Sequence, residues 1–220
     1  AYYGTKVSCA PLLASYNYGN NAVYMNNDTK DSSSNTVKIE LFDINSKVLL
    51  SKQLNVHTNG NASAKAFDLP KLSKGVSFLN LSVLNKKGEQ ISTNFYWLSS
   101  KNDKMEPNKD SASWIYTPSV EFADYKALRM LPKANIKVEK VIKENEMQVS
   151  VSNTSKSIAF FIELIAMDDK TKEPARPVFW SDNYISLKPG ESKKLILSVP
   201  ANNINSISIQ SRGINTITLK

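Results

Sequence analysis

A chain of 220 residues with 41% hydrophobic residues supports one or two domains with ordinary globular cores and argues against long disorder. No apolar run approaches the ~18–20 residues of a membrane-spanning helix; the longest, Ile158-Ala159-Phe160-Phe161-Ile162, is cut off by Glu163. The net charge of +8 does not point to nucleic acid, because the lysines are interleaved with acids, as in Lys137-Val138-Glu139-Lys140, rather than gathered into a stripe.

The chain opens at Ala1 without an initiator Met or a signal-peptide pattern, as expected of a processed chain or a fragment. Its first ten residues, AYYGTKVSCA, show no alternation and fit the tail of a helix continuing from something upstream. From there the dominant period is two, the mark of half-buried strands. Short strands are expected near Ser15–Tyr18 and Ala22–Asn26. In Thr36–Ile44 the residues Val37, Ile39 and Leu41 alternate with Lys38, Glu40 and Phe42. Asn45-Ser46 offers a tight turn, since Asn tolerates positive φ, and Lys47–Leu54 returns. Leu79, Leu81 and Val83 line another strand, Lys86-Lys87-Gly88 turns it, and Ile91, Thr93, Phe95 and Trp97 share one face of the next. Trp97 is expected in the core. About seven strands suit one sandwich of ~100 residues.

Ser99–Asp110 (SSKNDKMEPNKD) is polar, charged and holds Pro107, so a domain boundary is expected there. An ordered connector with large aromatics follows over Ser113–Leu131, with one helical turn in Asp124–Leu131 stopped by Pro132. Period two then resumes. Ile136 and Val138 lead one strand; Met147, Val149 and Val151 line the next; Ile158, Phe160, Ile162 and Leu164 form a third. Pro189-Gly190 turns the chain into Lys193–Val199, and Ile214–Leu219 closes it. No long amphipathic helix suggests a βαβ fold, and no convincing repeat links the halves beyond shared architecture. The fold class is all-β: two immunoglobulin-like β-sandwich domains in tandem. They occupy residues 1–100 (the helix tail being about 1–10) and 134–220, joined by a connector over 101–133.

Particular stretches carry a family resemblance. AYYGTKVSCAPLLASYNYGNNAVYMNN resembles the junction in glycoside hydrolase family 2 enzymes where the last helix of the catalytic barrel passes into the next domain. NFYWLSS (Asn94–Ser100), SWIYTPSVEFADYKAL (Ser113–Leu128) and FWSDNYISLKPGES (Phe179–Ser192) resemble the C-terminal immunoglobulin-like domains of exo-β-glucosaminidases, with β-mannosidases as close relatives. The resemblance implies a bacterial, secreted or periplasmic parent that cleaves β-linked sugars from chain ends with retention of configuration. It equally implies that the barrel and its catalytic glutamates lie before Ala1.

Retaining hydrolysis needs two carboxyl groups about 5–5.5 Å apart, and no such pair is identifiable here, so no catalytic residue is assigned. Asn145-Glu146 superficially matches the Asn-Glu pair around the family's acid/base, yet it sits in the polar turn Lys143-Glu144-Asn145-Glu146. His57 lies beside Thr58-Asn59-Gly60-Asn61 without a nucleophile-elbow motif and reads as an exposed loop histidine. Cys9, the single cysteine, excludes an intrachain disulfide and reads as a small buried or half-buried residue. With a single histidine as well, no histidine or cysteine metal cluster can form, and no cofactor is expected. Asp168-Asp169 lacks EF-hand spacing and reads as a solvated loop. Four Asn-X-Ser/Thr sequons start at Asn27, Asn61, Asn80 and Asn153, a number expected by chance in so Asn-, Ser- and Thr-rich a chain.

Aromatic residues remain as candidates, because sugars stack on aromatic faces. Trp180, Asp182, Asn183 and Tyr184 join aromatic planes to polar side chains in one loop, a chemistry suited to hydroxyl recognition or to contact with a catalytic domain. Trp114, with Tyr116 and Tyr125, lies in the connector, where packing between domains is the expected role. The function expected is a non-catalytic accessory region whose partner is the upstream barrel of the same polypeptide. An independent carbohydrate-binding module that takes oligosaccharide is the alternative, and an adhesion or assembly module a third. Neither nucleic acid nor membrane is expected as a partner. The parent's sugar preference belongs to the missing barrel.

Overall fold

Alternating side-chain polarity becomes strand almost throughout the computed structural model, which describes residues 2–72, 74–106, 117–143, 146–199 and 204–219. The chain forms two units, residues 1–128 and residues 129–220. The first starts with α1 (Tyr2–Ser8), then β1 (Leu12–Asn17), β2 (Ala22–Asn27), β3 (Ser33–Asp43), β4 (Val48–Thr58), β5 (Ala62–Asp68), β6 (Val76–Leu84) and β7 (Gln90–Ser99). A small ladder of β8 (Lys104–Met105) and β9 (Ser119–Glu121) and a 3-10 turn at Lys126–Met130 complete it. Sheets ordered β1-β2-β5 and β4-β3-β6-β7 are antiparallel throughout. Between them Val23 and Met25 meet Ile39, Leu79 and Leu81 in one apolar core, each such side chain contributing roughly 1.5–3 kcal/mol by leaving water.

Hairpin turns are closed by acidic and amide side chains. Asp43 Oδ1 accepts hydrogen bonds from the backbone N–H of Asn45 and Lys47, both at 2.8 Å, and Ser46, not Asn45, takes the positive φ. Asn85 Oδ1 does the same for Lys87 (2.9 Å) and Glu89 (3.0 Å), with Gly88 at φ 79°. β6 is buried on both faces, Phe78, Asn80 and Ser82 included. Trp97 is not in the core. Its side chain shares the outer face of β7 with Phe95 and is 36% exposed, while Leu98 points inward and Tyr96 packs on the core. Both faces of β7 carry large side chains, so alternation alone does not reveal the inner one. Cys9 is exposed rather than buried.

The described part of the polar boundary segment, residues 99–106, folds with the first unit. β8 pairs with β9, Glu106 N–H donates to Pro118 O (3.0 Å), and Ala123 N–H donates to Asp103 Oδ1 (2.8 Å). The division therefore falls at Leu128/Arg129, inside the connector expected at 101–133.

The second unit holds β10 (Ala134–Lys143), β11 (Glu146–Asn153), β12 (Ala159–Asp168), β13 (Phe179–Trp180), β14 (Ile185–Leu187), β15 (Ser192–Ser198), β16 (Ile207–Arg212) and β17 (Thr216–Leu219). One sheet is ordered β13-β15-β11-β10-β17 and the other β14-β12-β16. β10 and β17 pair in parallel; the remaining ladders are antiparallel. Ile136, Met147, Val149, Ile162, Leu187 and Leu195 are buried.

In both units the chain crosses from one sheet to the other at a buried asparagine. Asn27 Nδ2 donates to the carbonyls of Asp31 (2.9 Å), Asn59 (3.1 Å) and Thr58 (3.5 Å), and its Oδ1 accepts from Thr29 N–H (3.0 Å) and Oγ1 (2.7 Å). Asn153 repeats the pattern. Its Nδ2 donates to Ser157 (2.8 Å), Leu187 (3.0 Å) and Lys188 (3.1 Å), and Oδ1 accepts from Ser155 N–H (3.1 Å) and Oγ (2.7 Å). The halves thus share a local motif, NDTKD and NTSKS, that alternation did not reveal. Beside the first clamp, a Cβ on Gly60 would meet Lys30 O at 2.1 Å, so only glycine fits.

Replacing either asparagine by alanine strands buried carbonyls, at a cost of about 2–3 kcal/mol. Calorimetry of Asn27→Ala and Asn153→Ala should show that loss, with each variant lowering the transition of its own unit. Ser51→Ala, on the exposed face of β4, should stay within about 0.5 kcal/mol of the parent.

Candidate functional site

The loop from Trp180 to Tyr184 is held almost entirely by its own hydrogen bonds. Ser181 N–H donates to Ile196 O (2.8 Å), and Ile196 N–H donates to Ser181 Oγ (2.9 Å). Trp180 pairs with Leu197 through β13 and is 6% exposed, so most of its indole is inside the sandwich. Asn183 is 7% exposed: its Nδ2 donates to Leu164 O (2.9 Å) while Oδ1 accepts from Leu164 N–H (2.8 Å) and Tyr184 N–H (2.9 Å). That amide imitates a missing β-ladder: its oxygen accepts two N–H groups, its nitrogen donates to Leu164 O, and the side chain is buried away from any sugar hydroxyl. Asp182 pairs with Lys193 at 2.6 Å and caps Asn183 N–H at 2.8 Å. Of the residues singled out here, Asn183 is therefore a structural clamp and Asp182 is already ion-paired. Trp114 and Tyr116 lie outside the described residues.

Tyr184 is different. It is 43% exposed, its ring centroid lies 5.5 Å from that of Phe161, which is 36% exposed, and the two planes are inclined at 46°. Both residues sit at φ 56°, in the left-handed region that costs a non-glycine residue roughly 1–2 kcal/mol. Phe161 occupies a bulge where the β12–β14 register shifts between Ala159 and Ile162, a position that glycine often fills. Its conformation is fixed by Phe161 N–H donating to Ser186 Oγ (3.1 Å), and next to it Phe160 N–H donates to Asn215 Oδ1 (3.0 Å). Tyr184 Oη donates to Glu163 Oε1 (2.8 Å), and Arg212 donates through Nε to Glu163 Oε2. Burial pushes the Glu163 carboxyl up, but the hydrogen bonds from Arg212 and Tyr184 and the guanidinium charge outweigh it and hold it below the usual glutamate range. Glu163 also lines an open cleft of about 660 Å³ together with Ala166, Pro174, Arg176, Pro177 and Trp180. Phe161, Glu163 and Arg212 escaped the sequence reading. The signal available was Phe160-Phe161, two aromatics in succession where alternation allows one to be buried.

A second aromatic group lies in the first unit. Tyr16 stands 4.9 Å from Tyr18 and 6.0 Å from Tyr96, and Tyr18 stands 6.4 Å from Tyr96, all edge to face. Tyr16 Oη donates to Asn21 Oδ1 (2.6 Å); Tyr96 Oη accepts from Asn94 Nδ2 (2.7 Å) and Tyr16 N–H (3.2 Å). Burial, followed by the neighbouring Tyr125, Tyr96, Tyr16 and Asp103, pushes the Tyr18 hydroxyl up to about 12. A cleft of about 270 Å³ adjoins, lined by Tyr16, Asn21, Leu72 and Asn102 among others. The signal for this cluster was the Tyr-X-Tyr spacing of Tyr16 and Tyr18.

The remaining candidates serve local structure. His57 is on strand β4, exposed, with Nδ1 3.0 Å from Ser34 Oγ. Asp168 Oδ1 accepts from Lys170 N–H (2.8 Å) and Thr171 N–H (3.1 Å), closing a hairpin turn. Asn145 lies outside the described residues, and Glu146 opens β11. Of the sequon asparagines, Asn27, Asn80 and Asn153 are buried, and Asn61 is exposed.

Residues 19–101 match the family model of the mannosidase Ig/CBM-like domain, and residues 114–216 match that of the exo-beta-D-glucosaminidase Ig-fold domain. The chain is 32% identical over 233 residues to an exo-beta-D-glucosaminidase of Hypocrea jecorina, covering 100% of this chain and 26% of the relative. It is 33% identical over 209 residues to that of Amycolatopsis orientalis, covering 89% of this chain and 20% of the relative. The relatives thus include fungal as well as bacterial proteins. Among solved structures, an exo-chitosanase of Amycolatopsis orientalis superposes with a TM-score of 0.84 at 26% identity, covering 98% of this chain and 27% of that one. A beta-D-mannosidase from Dictyoglomus thermophilum, at 18% identity and a TM-score of 0.67, shares the fold. The chain spans about a quarter of the length of the Hypocrea relative.

Because the folded-state pKa of Glu163 is depressed, its pairing stabilises the fold above the ordinary glutamate pKa, and that contribution is lost as pH falls through the lowered value. Arg212 is largely exposed, so the effect is small. Urea unfolding of the parent and Glu163→Gln should differ near neutral pH and converge as the pH is lowered through and below the ordinary glutamate range.

Proposed function

Because its two units are immunoglobulin-like accessory domains of the exo-β-glucosaminidase and mannosidase type in glycoside hydrolase family 2, we propose that this chain is the non-catalytic region of a retaining exo-glycosidase. In that role it supports the catalytic barrel of the same polypeptide and shapes access of a β-linked glucosaminide or mannoside to it. The observation that carries this reading is that the match runs along all of this chain while using 26% of the Hypocrea relative. The chemistry of the described carboxylates agrees. Glu163 is engaged by Arg212 and Tyr184, Asp182 by Lys193, and Asp43 and Asp168 by backbone N–H groups, so each serves the fold. Retaining hydrolysis instead needs a nucleophile and an acid/base about 5–5.5 Å apart across a sugar. The same reading puts the protein in the periplasm or outside the cell, where polymeric substrates are met, and cell fractionation tests that placement.

A second reading, an independent carbohydrate-binding module, is favoured by the Tyr16–Tyr18–Tyr96 cluster beside its cleft. Affinity gels separate the two. On the accessory reading the isolated chain migrates through chitosan- or mannan-containing gels like an inert protein; retardation abolished by Tyr18→Ala would favour the module.

Incubated with aryl β-glucosaminide and aryl β-mannoside, the 220-residue chain should give no turnover above the blank. The intact polypeptide should turn over one of them, and removing this region should lower its activity or its melting temperature. Turnover by the chain alone would overturn the reading.

A further inference from the structure

Phe161 and Tyr184 form a partly exposed pair of tilted rings, and both sit at positive φ with their N–H groups bonded to Ser186 Oγ and Asn183 Oδ1. A bulky residue in that region persists only where its surroundings over-determine it, and such strain gathers at functional surfaces. Phe161 keeps 36% of its surface in water and Tyr184 43%, a large share for two aromatic residues. Around them stand Glu163 and Arg212, already paired with each other, and Tyr184 Oη, already donating to Glu163. Aromatic anchors encircled by satisfied polar groups, with Tyr and Arg prominent, are the composition of a protein–protein hot spot.

The polar chemistry decides the class of occupant. A sugar needs accessible donors and acceptors for its hydroxyls, and here the Asn183 amide is buried against Leu164, Asp182 is paired with Lys193, and Glu163 is held by Arg212 and Tyr184. An apolar patch with a pre-satisfied rim suits a protein surface, which brings its own satisfied groups. The amount of polypeptide beyond this chain points to which one: the region matched is 26% of the Hypocrea relative and 27% of the solved exo-chitosanase, so a much larger folded body accompanies it in both. We propose that the Phe161–Tyr184 pair, rimmed by Glu163 and Arg212, is the seat on which the catalytic body of the same enzyme docks. This rests on the accessory reading and adds the surface by which support is delivered.

The test uses the intact polypeptide with Phe161→Asp and Tyr184→Asp, and Val48→Asp, another exposed apolar position, as control. Each 220-residue variant alone should keep the parent's circular dichroism; Phe161→Ser and Tyr184→Ser replace any that does not. In the intact polypeptide, the two aromatic changes should lower the melting temperature by several degrees and activity on aryl β-glucosaminide at least tenfold. Val48→Asp should change neither. If deleting the whole region alters nothing, the accessory reading fails. If deletion matters but the aromatic changes do not, only the docking face is overturned. It is equally overturned if those changes instead abolish dimerisation of the isolated chain in sedimentation, or its binding of chitosan oligosaccharides.

Discussion

Crossing from one sheet to the other is the constraint on which both units depend. At a crossover the backbone leaves one ladder before joining the next, so carbonyl groups are buried without ladder partners. One amide side chain answers this in each unit. Asn27 collects carbonyls from the β2–β3 loop and the β4–β5 turn, and Asn153 does the same for the β11–β12 loop and the end of β14. The hydroxyl two residues later orients the amide by donating to its oxygen. Since β3 and β12 are central strands of their sheets, their register follows from where the crossover is pinned.

From β12 the constraint passes to the surface. The bulge at Phe161 lets Ala159, Phe160 and Ile162 all point inward, which turns Phe161 out and brings it onto Tyr184. Asn183 then fills the gap in the ladder by pairing with both backbone groups of Leu164. Asn215 closes the opposite side, donating to Pro132 O (2.7 Å) and Ile158 O (2.8 Å) and accepting from Phe160 N–H. The exposed aromatic pair is thus the outward face of a network whose inward face is the core. Strain at two residues is sustained by two buried amides, Asn183 and Asn215, and by the Ser186 hydroxyl.

The two-sandwich architecture was legible because period two is strong wherever one face of a strand is wet, as in Met147–Ser152. It failed in β7, where the outward Trp97 and the inward Leu98 present equal claims. Asparagine was the other blind spot. The motif Asn-X-Ser/Thr reads as a sequon, yet at Asn27 and Asn153 the same spacing places a hydroxyl where it bonds the amide oxygen. Nothing in the local sequence separates a buried amide from a solvated one, because the carbonyls it bonds lie up to 35 residues away. For the same reason Asp182 and Asn183 looked like hydroxyl readers; their partners, Lys193 and Leu164, are long-range.

The parallel pairing of β10 with β17, Ala134–Lys137 against Thr216–Leu219, has a mechanical consequence. A first and a last strand that run side by side in one direction put Ala134 and Leu219 at the two ends of a four-residue ladder. Tension between residues 134 and 219 therefore loads that ladder in shear, so its hydrogen bonds resist together and do not unzip one at a time.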